Sequence, residues 1–339
     1  MYNKTFIITA LLACTVCFAA QAKNPVFRFN ADGKFKIIQV TDTHINWDSP
    51  HSQETVDMLN QVLDAEKPDI VIFTGDVVTS KPYQKGLERV IEPIVSRKIP
   101  WALVYGNHDD EQDWKRDQLG SLISQYPYFA GDMKKVKNVT GYGNYVIEVK
   151  GHNANKPTAL LYCMDSRAYS TLKPYVDGYG WFAFDQVDWY RRTSDKYTAA
   201  NGGSPLPALA FFHIPLPEYR NFDTHQAPKE GTKLENECSP EVNSGMFLSM
   251  LEKRDVMGVF VGHDHINDYI FNYCGIALAY GRFSGSKTTY TQMKNGVRVI
   301  ELTENEPGFR TWIRLNDEIV IQEVNFPQDL PYRIEKDKQ

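Results

Sequence analysis

The chain alternates short apolar runs with helical patterns over its first third. Apolar runs with the length of buried strands lie at 37–40, 70–73 and 102–105. Between them, the apolar spacing predicts helices over about 52–66 and 83–97, each stopping before a proline. Residues 36–110 are therefore expected to form strand, helix, strand, helix, strand, which is typical of βαβ units in an α/β fold.

The rest of the chain is less regular but continues to alternate. It predicts strands at 144–149, 158–164, 208–212 and 256–261, with helices at 185–199 and ending near 254. Residues 217–244 are polar and predict a long loop. Five short runs after residue 266 predict a second, mostly antiparallel sheet. No break in composition divides the chain, so residues 23–339 are predicted to form a single domain.

Five of the predicted strands each end in residue types that bind metals. The five motifs are Asp42-Thr43-His44, Gly75-Asp76, Gly106-Asn107-His108-Asp109, His213 and Gly262-His263-Asp264-His265. Alone, each has an ordinary explanation as a turn, a cap or a core histidine. Together they contain five of the eight histidines. Because the carboxyl ends of parallel strands meet in one crevice, we expect a shared metal centre with mixed oxygen and nitrogen ligands.

This ordered set of motifs resembles the calcineurin-like metallophosphoesterase superfamily over about residues 36–281. A closer similarity to its purple-acid-phosphatase-like subgroup rests on Gly262-His263-Asp264-His265-x-Asn267-Asp268, Tyr280-Gly281-Arg282 and the run 297–302. The resemblance implies an α/β fold built as a four-layer α/β/β/α sandwich. It also implies a binuclear metal site at the C-terminal ends of the strands.

The resemblance assigns a role to each motif residue. It implies that one metal is held by Asp42, His44, Asp76 and His265, and the other by Asn107, His213 and His263, with Asp76 bridging. It implies that His108 is the general acid and binds no metal. The chemistry agrees, because two metals can bind phosphoryl oxygens and generate hydroxide near neutral pH, and a histidine can protonate the departing alkoxide. Asp109 and Asp264 are expected to orient ligand histidines.

The chain departs from the true purple enzymes at Thr79. Those enzymes have a tyrosine three positions after the Gly-Asp aspartate, and that tyrosine ligates iron and gives the colour. With threonine there, the identity of the two metal ions stays open among Fe, Mn and Zn.

These features predict a phosphoesterase, most simply one that hydrolyses small-molecule phosphomonoesters by attack of a metal-bound hydroxide. The motifs do not separate this from a phosphodiesterase acting on cyclic nucleotides or glycerophosphodiesters. An alternative of another class is a metal-stabilised binding protein without turnover, which the filled catalytic positions disfavour. Arg282, Tyr219 and Arg220 are candidate substrate contacts, with structural roles as the alternative.

Charge and the N-terminal residues bear on partners and location. A formal net charge of −5 and no block of Lys or Arg argue against nucleic-acid binding. Residues 1–22 predict a signal peptide, with Lys4, an apolar stretch shorter than a membrane span, and Ala20-Gln21-Ala22 before the cleavage point. We therefore expect export to the periplasm or beyond the cell, with no transmembrane segment. Leu11-Leu12-Ala13-Cys14 leaves open a membrane-anchored lipoprotein with a lipid on Cys14.

Overall fold

The computed structural model describes residues 25–224, 228–315 and 318–332, and the following elements lie within those ranges. The strands are β1 (Phe27–Arg28), β2 (Lys34–Val40), β3 (Ile70–Thr74), β4 (Trp101–Val104), β5 (Tyr145–Lys150), β6 (Pro157–Cys163), β7 (Ala208–Phe211), β8 (Lys229–Glu230), β9 (Val256–Val261), β10 (Ile270–Tyr273), β11 (Ile276–Tyr280), β12 (Val297–Thr303), β13 (Phe309–Leu315) and β14 (Ile319–Phe326). The helices are α1 (Ser52–Glu66), α2 (Tyr83–Ser96), α3 (Arg116–Ile123), α4 (Phe184–Ala200) and α5 (Met246–Lys253), with a 3₁₀ turn at Pro217–Asn221.

The strands form two mixed sheets. One has six strands in the order β14-β13-β12-β2-β3-β4, with β2, β3 and β4 parallel. The other has eight strands in the order β1-β5-β6-β7-β9-β11-β10-β8, with β6, β7, β9 and β11 parallel. The parallel strands form one half of the six-stranded sheet, with β4 at its edge, and the middle of the eight-stranded sheet, so each sheet presents a group of strand C-terminal ends.

Side chains that alternate along the central strands separate two apolar cores. In β6, Ala159, Leu161 and Cys163 belong to the core shared with the six-stranded sheet, whereas Leu160 and Tyr162 belong to a second core. This alternation is the period of two expected of a strand buried on both faces. The first core also takes in the apolar faces of α1 and α2, and the second takes in those of α4 and α5. The result is the four-layer α/β/β/α sandwich.

The structure confirms the predicted strand-helix alternation and corrects its grouping into sheets. Helix α1 has the predicted bounds, and Lys67, the left-handed residue that follows Glu66, ends it before Pro68. The strands after residue 266 do not form a sheet of their own, because β10 and β11 extend the eight-stranded sheet and β12 to β14 extend the six-stranded one. The short helix α3 was not predicted. The loop predicted for 217–244 contains the 3₁₀ turn and β8.

The predictions for the N-terminal segment concern residues before β1. The predicted signal peptide and the Cys14 lipid site lie outside the described residues. Among the residues that are described, no helix combines the length and apolar character needed to cross a bilayer. The cysteines at 163, 238 and 274 are free thiols.

Candidate metal centre

The five motif-bearing strands end at one place, but they come from both sheets. Motifs after β2, β3 and β4 come from the six-stranded sheet, and those after β7 and β9 from the eight-stranded sheet. Hydrogen bonds join the two sets of strand ends. His213 Nδ1 contacts the Thr74 carbonyl at 2.8 Å, and the His263 amide donates to Asp42 Oδ2 at 3.0 Å. The crevice therefore lies between two sheets rather than at the edge of one.

The backbone at these strand ends is unusually close-packed and strained. A Cβ on Gly106 would lie 2.1 Å from Asp76 Oδ1, and one on Gly262 would lie 1.9 Å from Thr41 Oγ1. Only glycine, which has no Cβ, allows the two segments at each of these places to approach that closely. Left-handed φ angles occur at Asp42 (54°), His44 (41°), Asp76 (52°) and His263 (82°). Such strain in residues with side chains is typical of functional sites.

A first group of donors comprises Asp42, His44 and His265, all buried. The His265 Nδ1–H donates to the Tyr290 carbonyl at 2.9 Å, which leaves its Nε2 as a lone pair. That Nε2 lies 3.1 Å from His44 Nε2 and 3.6 Å from Asp42 Oδ1. Three electron-rich atoms therefore converge.

A second group comprises Asp76, His213 and His263, with Asn107 beside them. The His213 Nδ1–H donates to the Thr74 carbonyl, so in the neutral ring Nε2 carries the lone pair; Nε2 lies 3.2 Å from Asp76 Oδ2 and 3.1 Å from Asn107 Oδ1. The Asn107 amide donates to the Tyr169 hydroxyl at 3.3 Å, which turns its oxygen inward.

The carboxylate of Asp76 lies between the two groups. Its Oδ2 is 3.6 Å from His44 Nε2 in the first group and 3.2 Å from His213 Nε2 in the second. Its Oδ1 accepts the backbone amide of His108 at 2.8 Å. One anion in this position can neutralise two cations at once, as the expected bridge requires.

The donor set fits metal cations on the structure's own geometry. Acceptor atoms face one another in both groups, and two of them, Asp42 Oδ1 and His263 Nε2, are buried with no hydrogen-bond partner. Buried acceptors left in this way cost free energy unless a cation or donor lies among them. Carboxylate oxygen, amide oxygen and imidazole nitrogen together suit Zn, Fe or Mn.

Burial and neighbouring charge shift the pKa values at the centre. Burial lowers the pKa of His44 to about 3 and holds that of His263 well below its usual range, which keeps their nitrogens available as ligands. Burial also lowers the pKa of His213, but the Asp76 carboxylate outweighs it and raises that pKa to about 9. Two buried carboxylates thus attract a positive charge, which a metal would supply instead of a proton.

His108 lies beside the two groups without joining them. Its ring centre is 5.7 Å from that of His44, and its Nδ1 contacts Glu111 Oε2 at 2.6 Å. The other Glu111 oxygen accepts the Tyr169 hydroxyl at 2.9 Å. Burial lowers the pKa of His108, but the Asp76 carboxylate and Glu111 more than offset this and raise it. Glu111 and Tyr169 were not predicted from the sequence, although Glu111 stands only three positions after His108.

The two flanking aspartates make their hydrogen bonds to other groups than the ligand histidines. Within the described part of the chain, Asp109 accepts the amides of Asp76, Val77 and Gly106 and no histidine ring N–H, so it fixes the backbone of two motifs. Asp264 accepts the Tyr280 hydroxyl at 2.5 Å and the amide of Cys238. Burial raises the pKa of Asp264 to about 7.

The candidate substrate contacts have structural roles. Arg282 is buried; it pairs with Asp268 and donates from Nε to the Lys294 carbonyl at 2.7 Å. Tyr219 is fully buried, and Arg220 donates to the Ser239 carbonyl at 2.8 Å. Arg282 and Tyr219 are thus committed to the interior, whereas Arg220 stays exposed and braces the segment at Ser239.

Comparisons with known proteins agree with this geometry. The family model described as calcineurin-like phosphoesterase matches residues 35–267. "Probable inactive purple acid phosphatase 29" of Arabidopsis thaliana is 33% identical, with 90% of this chain and 89% of that protein covered. "Phosphatase DCR2" of Saccharomyces cerevisiae is 33% identical over 84% of this chain and 54% of its own length.

Solved structures share the fold. A dimetal phosphatase from Danio rerio superposes with a TM-score of 0.60 at 12% identity, covering 86% of this chain and 98% of the other. The purple acid phosphatase PPD1 from Lupinus luteus seeds gives 0.51 at 13% identity, covering 86% and 53%. The predicted family, the sandwich fold and the phosphoester-hydrolase class are thereby confirmed. With its family model matching well over half of its length, the chain belongs to the calcineurin-like phosphoesterase family.

Proposed function

We propose that the protein is a metal-dependent phosphomonoesterase. In this proposal one metal is held by Asp42, His44, Asp76 and His265 and the other by Asn107, His213 and His263, with Asp76 shared. The observation that carries it is the convergence of buried acceptors in two groups, with orphaned atoms on Asp42 and His263 and His108 beside them. When bound, two such metals lower the pKa of water and withdraw charge from phosphoryl oxygens.

His108 is the proposed general acid. Because Glu111 occupies Nδ1, the proton offered to the leaving oxygen is the one on Nε2. Glu111 is a positioning residue in this scheme: it fixes the ring, and Tyr169 fixes Glu111 in turn. The chain's own residues thus provide the metal cradle, the orientation of the acid and its proton.

Turnover, rather than binding alone, is supported by the residues present. Some relatives carry "inactive" in their names, whereas the yeast relative is named a phosphatase. In this chain, both Asn107 and His108 are in place, and His108 has its partner at 2.6 Å. A non-catalytic binding protein has no need of a paired histidine that stands outside the donor groups.

A diesterase is the second candidate. An alignment of 101 residues, which covers 27% of this chain, is 32% identical to a probable glycerophosphodiester phosphodiesterase from Arcobacter nitrofigilis. The test is phosphate release by purified protein reconstituted separately with Mn, Zn or Fe, using p-nitrophenyl phosphate, glycerol 3-phosphate and bis(p-nitrophenyl) phosphate. We expect a higher kcat/KM on the monoesters. A higher value on the diester would favour the second candidate, and no turnover of any ester would refute both.

We also propose export, with a single mature domain over 23–339, on the residues of the N-terminal segment. Mass spectrometry of the native N-terminus should give Lys23 in a soluble extracytoplasmic fraction. A diacylglyceryl group on Cys14 would instead show a lipid-anchored product.

A further inference from the structure

A polar cleft adjoins the metal centre, and of its wall residues only Tyr169 takes part in the scheme above. It consists of two neighbouring cavities of about 440 and 260 Å³, which share Thr140, Arg167 and Tyr169 in their walls. The cleft is next to the chemistry, because the Tyr169 hydroxyl contacts Asn107 at 3.3 Å and Asp110, in the larger wall, is two residues after His108. A substrate with its phosphate at the metals would have room to extend here.

Arg167 is the most unusual residue of this cleft. Among the described residues, its guanidinium has no hydrogen-bond or ion-pair partner, although the side chain is partly buried. Its φ is +75°, a strained value for a long side chain, and its backbone amide is held by Asp165 Oδ1 at 2.8 Å. The cation thus extends, without a partner among the described residues, from a strained backbone position that Asp165 holds in place.

The free charge of the cleft is positive. Lys135, also in the wall, has the face of the Tyr142 ring, at 5.7 Å, as its one charge-related contact within the described ranges. The two acidic residues of the wall, Asp110 and Asp165, both pair with Arg116, at 3.4 and 2.5 Å. Arg116 itself is buried by those contacts, so Arg167 and Lys135 are the cations left without a carboxylate.

We propose that this cleft is a subsite for a second anionic group of the substrate, a phosphate or a carboxylate. A guanidinium offers a planar fork that matches either group, and Lys135 adds a second charge. The carbon skeleton between the two anions would lie along Tyr169 and Trp181, the aromatic residues that line the smaller cavity. This inference rests on the proposed phosphomonoesterase function and narrows its substrates to multiply anionic phosphate esters.

The test compares matched esters on wild type and three variants. Glycerol 3-phosphate against 3-phosphoglycerate tests a carboxylate, and hexose 6-phosphate against hexose 1,6-bisphosphate tests a second phosphate. The variants are Arg167→Gln, Arg167→Lys and Lys135→Gln. Glutamine and lysine adopt the left-handed backbone at the same strain as arginine, so the three side chains differ mainly in charge and shape.

Wild type should prefer the doubly anionic member of at least one pair. Arg167→Gln should lower its kcat/KM on that ester by about 10- to 100-fold, mainly through KM, because a charged hydrogen bond is lost from binding. On the singly anionic ester the loss should be no more than about threefold, the size of a screened attraction. Arg167→Lys should restore part of the preference, and the pair that responds identifies the anion.

Two results would overturn the inference. One is a wild type that hydrolyses p-nitrophenyl phosphate yet shows no preference in either pair. The other is an equal loss on both members of a pair in Arg167→Gln, which would indicate a structural role. If Arg167→Gln fails to fold, Lys135→Gln, at an exposed position, replaces it in the test. Lys135→Gln must then lower the preference for the doubly anionic ester without lowering kcat/KM on the singly anionic one. Failure of wild type on every monoester, p-nitrophenyl phosphate included, would refute the proposed function instead.

Discussion

At the scale of single residues, the candidate metal centre is defined by buried hydrogen-bond acceptors that face one another and so favour a cation between them. The chemistry of the motif residues made them predictable, since Asp, Asn and His at strand ends are poorly explained by packing. Glu111 and Arg167 were not predictable in the same way. Both lie on irregular segments without a periodic pattern, and Tyr169, which links Glu111 to Asn107, is 58 positions from Glu111. Only folding brings such loops together.

His108 provides the first residue-scale prediction. His108→Ala should retain both metals but lose about 100- to 10,000-fold in kcat on an alkyl phosphate, the usual contribution of general acid catalysis. The loss should be much smaller on p-nitrophenyl phosphate, because nitrophenolate leaves without protonation. Glu111→Gln should show the same leaving-group pattern with a smaller loss, and Glu111→Asp should recover part of it. Equal losses on both substrates, or loss of a metal, would rule out this role.

Asp76 and His44 provide the second residue-scale prediction. Asp76→Ala should weaken the binding of both metals, because its carboxylate contacts both donor groups, at 3.6 and 3.2 Å. His44→Ala should weaken mainly the binding of one metal, because His44 belongs to a single donor group. Calorimetric metal titration measures both, with Asp117→Asn, an exposed carboxylate in α3, as the control. If Asp76→Ala affected only a single binding step, the shared carboxylate would be wrong.

At the scale of elements, strand and helix positions were predictable, and sheet membership was not. Apolar runs of strand length and prolines after helices fixed β2 to β4 and α1 from local pattern alone. The division of motif strands between two sheets depends on long-range pairing, such as β12 joining β2 in antiparallel register. No local pattern encodes that choice, although the family resemblance implied the sandwich.

The close approach of the two sheets gives an element-scale prediction. Gly262→Ala would place a Cβ 1.9 Å from Thr41 Oγ1 and 2.6 Å from Asp42 Oδ2. We expect a loss of about 1–3 kcal/mol in the free energy of unfolding of metal-free protein, as for other overpacked sites. Denaturant unfolding measures it, with Gly202→Asn in an open left-handed turn as the control, expected within about 0.5 kcal/mol of wild type. Wild-type stability in Gly262→Ala would show that the strand ends are not packed so tightly.

At the scale of the whole molecule, the two sheets and their helices hold one pair of donor groups. The visible absorption of the iron-loaded protein shows which side chains bind the iron there. Iron-loaded protein should lack a strong purple band, because Thr79 supplies no tyrosinate. Absorption spectra of the wild type, Tyr169→Phe and Tyr179→Phe test this, since Tyr169 contacts Asn107 and the Tyr179 ring lies 4.3 Å from that of His263. An intense band that disappears in either variant would mean that another tyrosine binds the iron.

The binuclear centre of a working phosphatase is the central claim, and metal reconstitution tests it most directly. Metal-stripped protein is titrated with Mn or Zn while elemental content and phosphate release from p-nitrophenyl phosphate are followed together. The account predicts no turnover without metal and full activity only as the content reaches two ions per chain. Full activity at one ion per chain or fewer would contradict it.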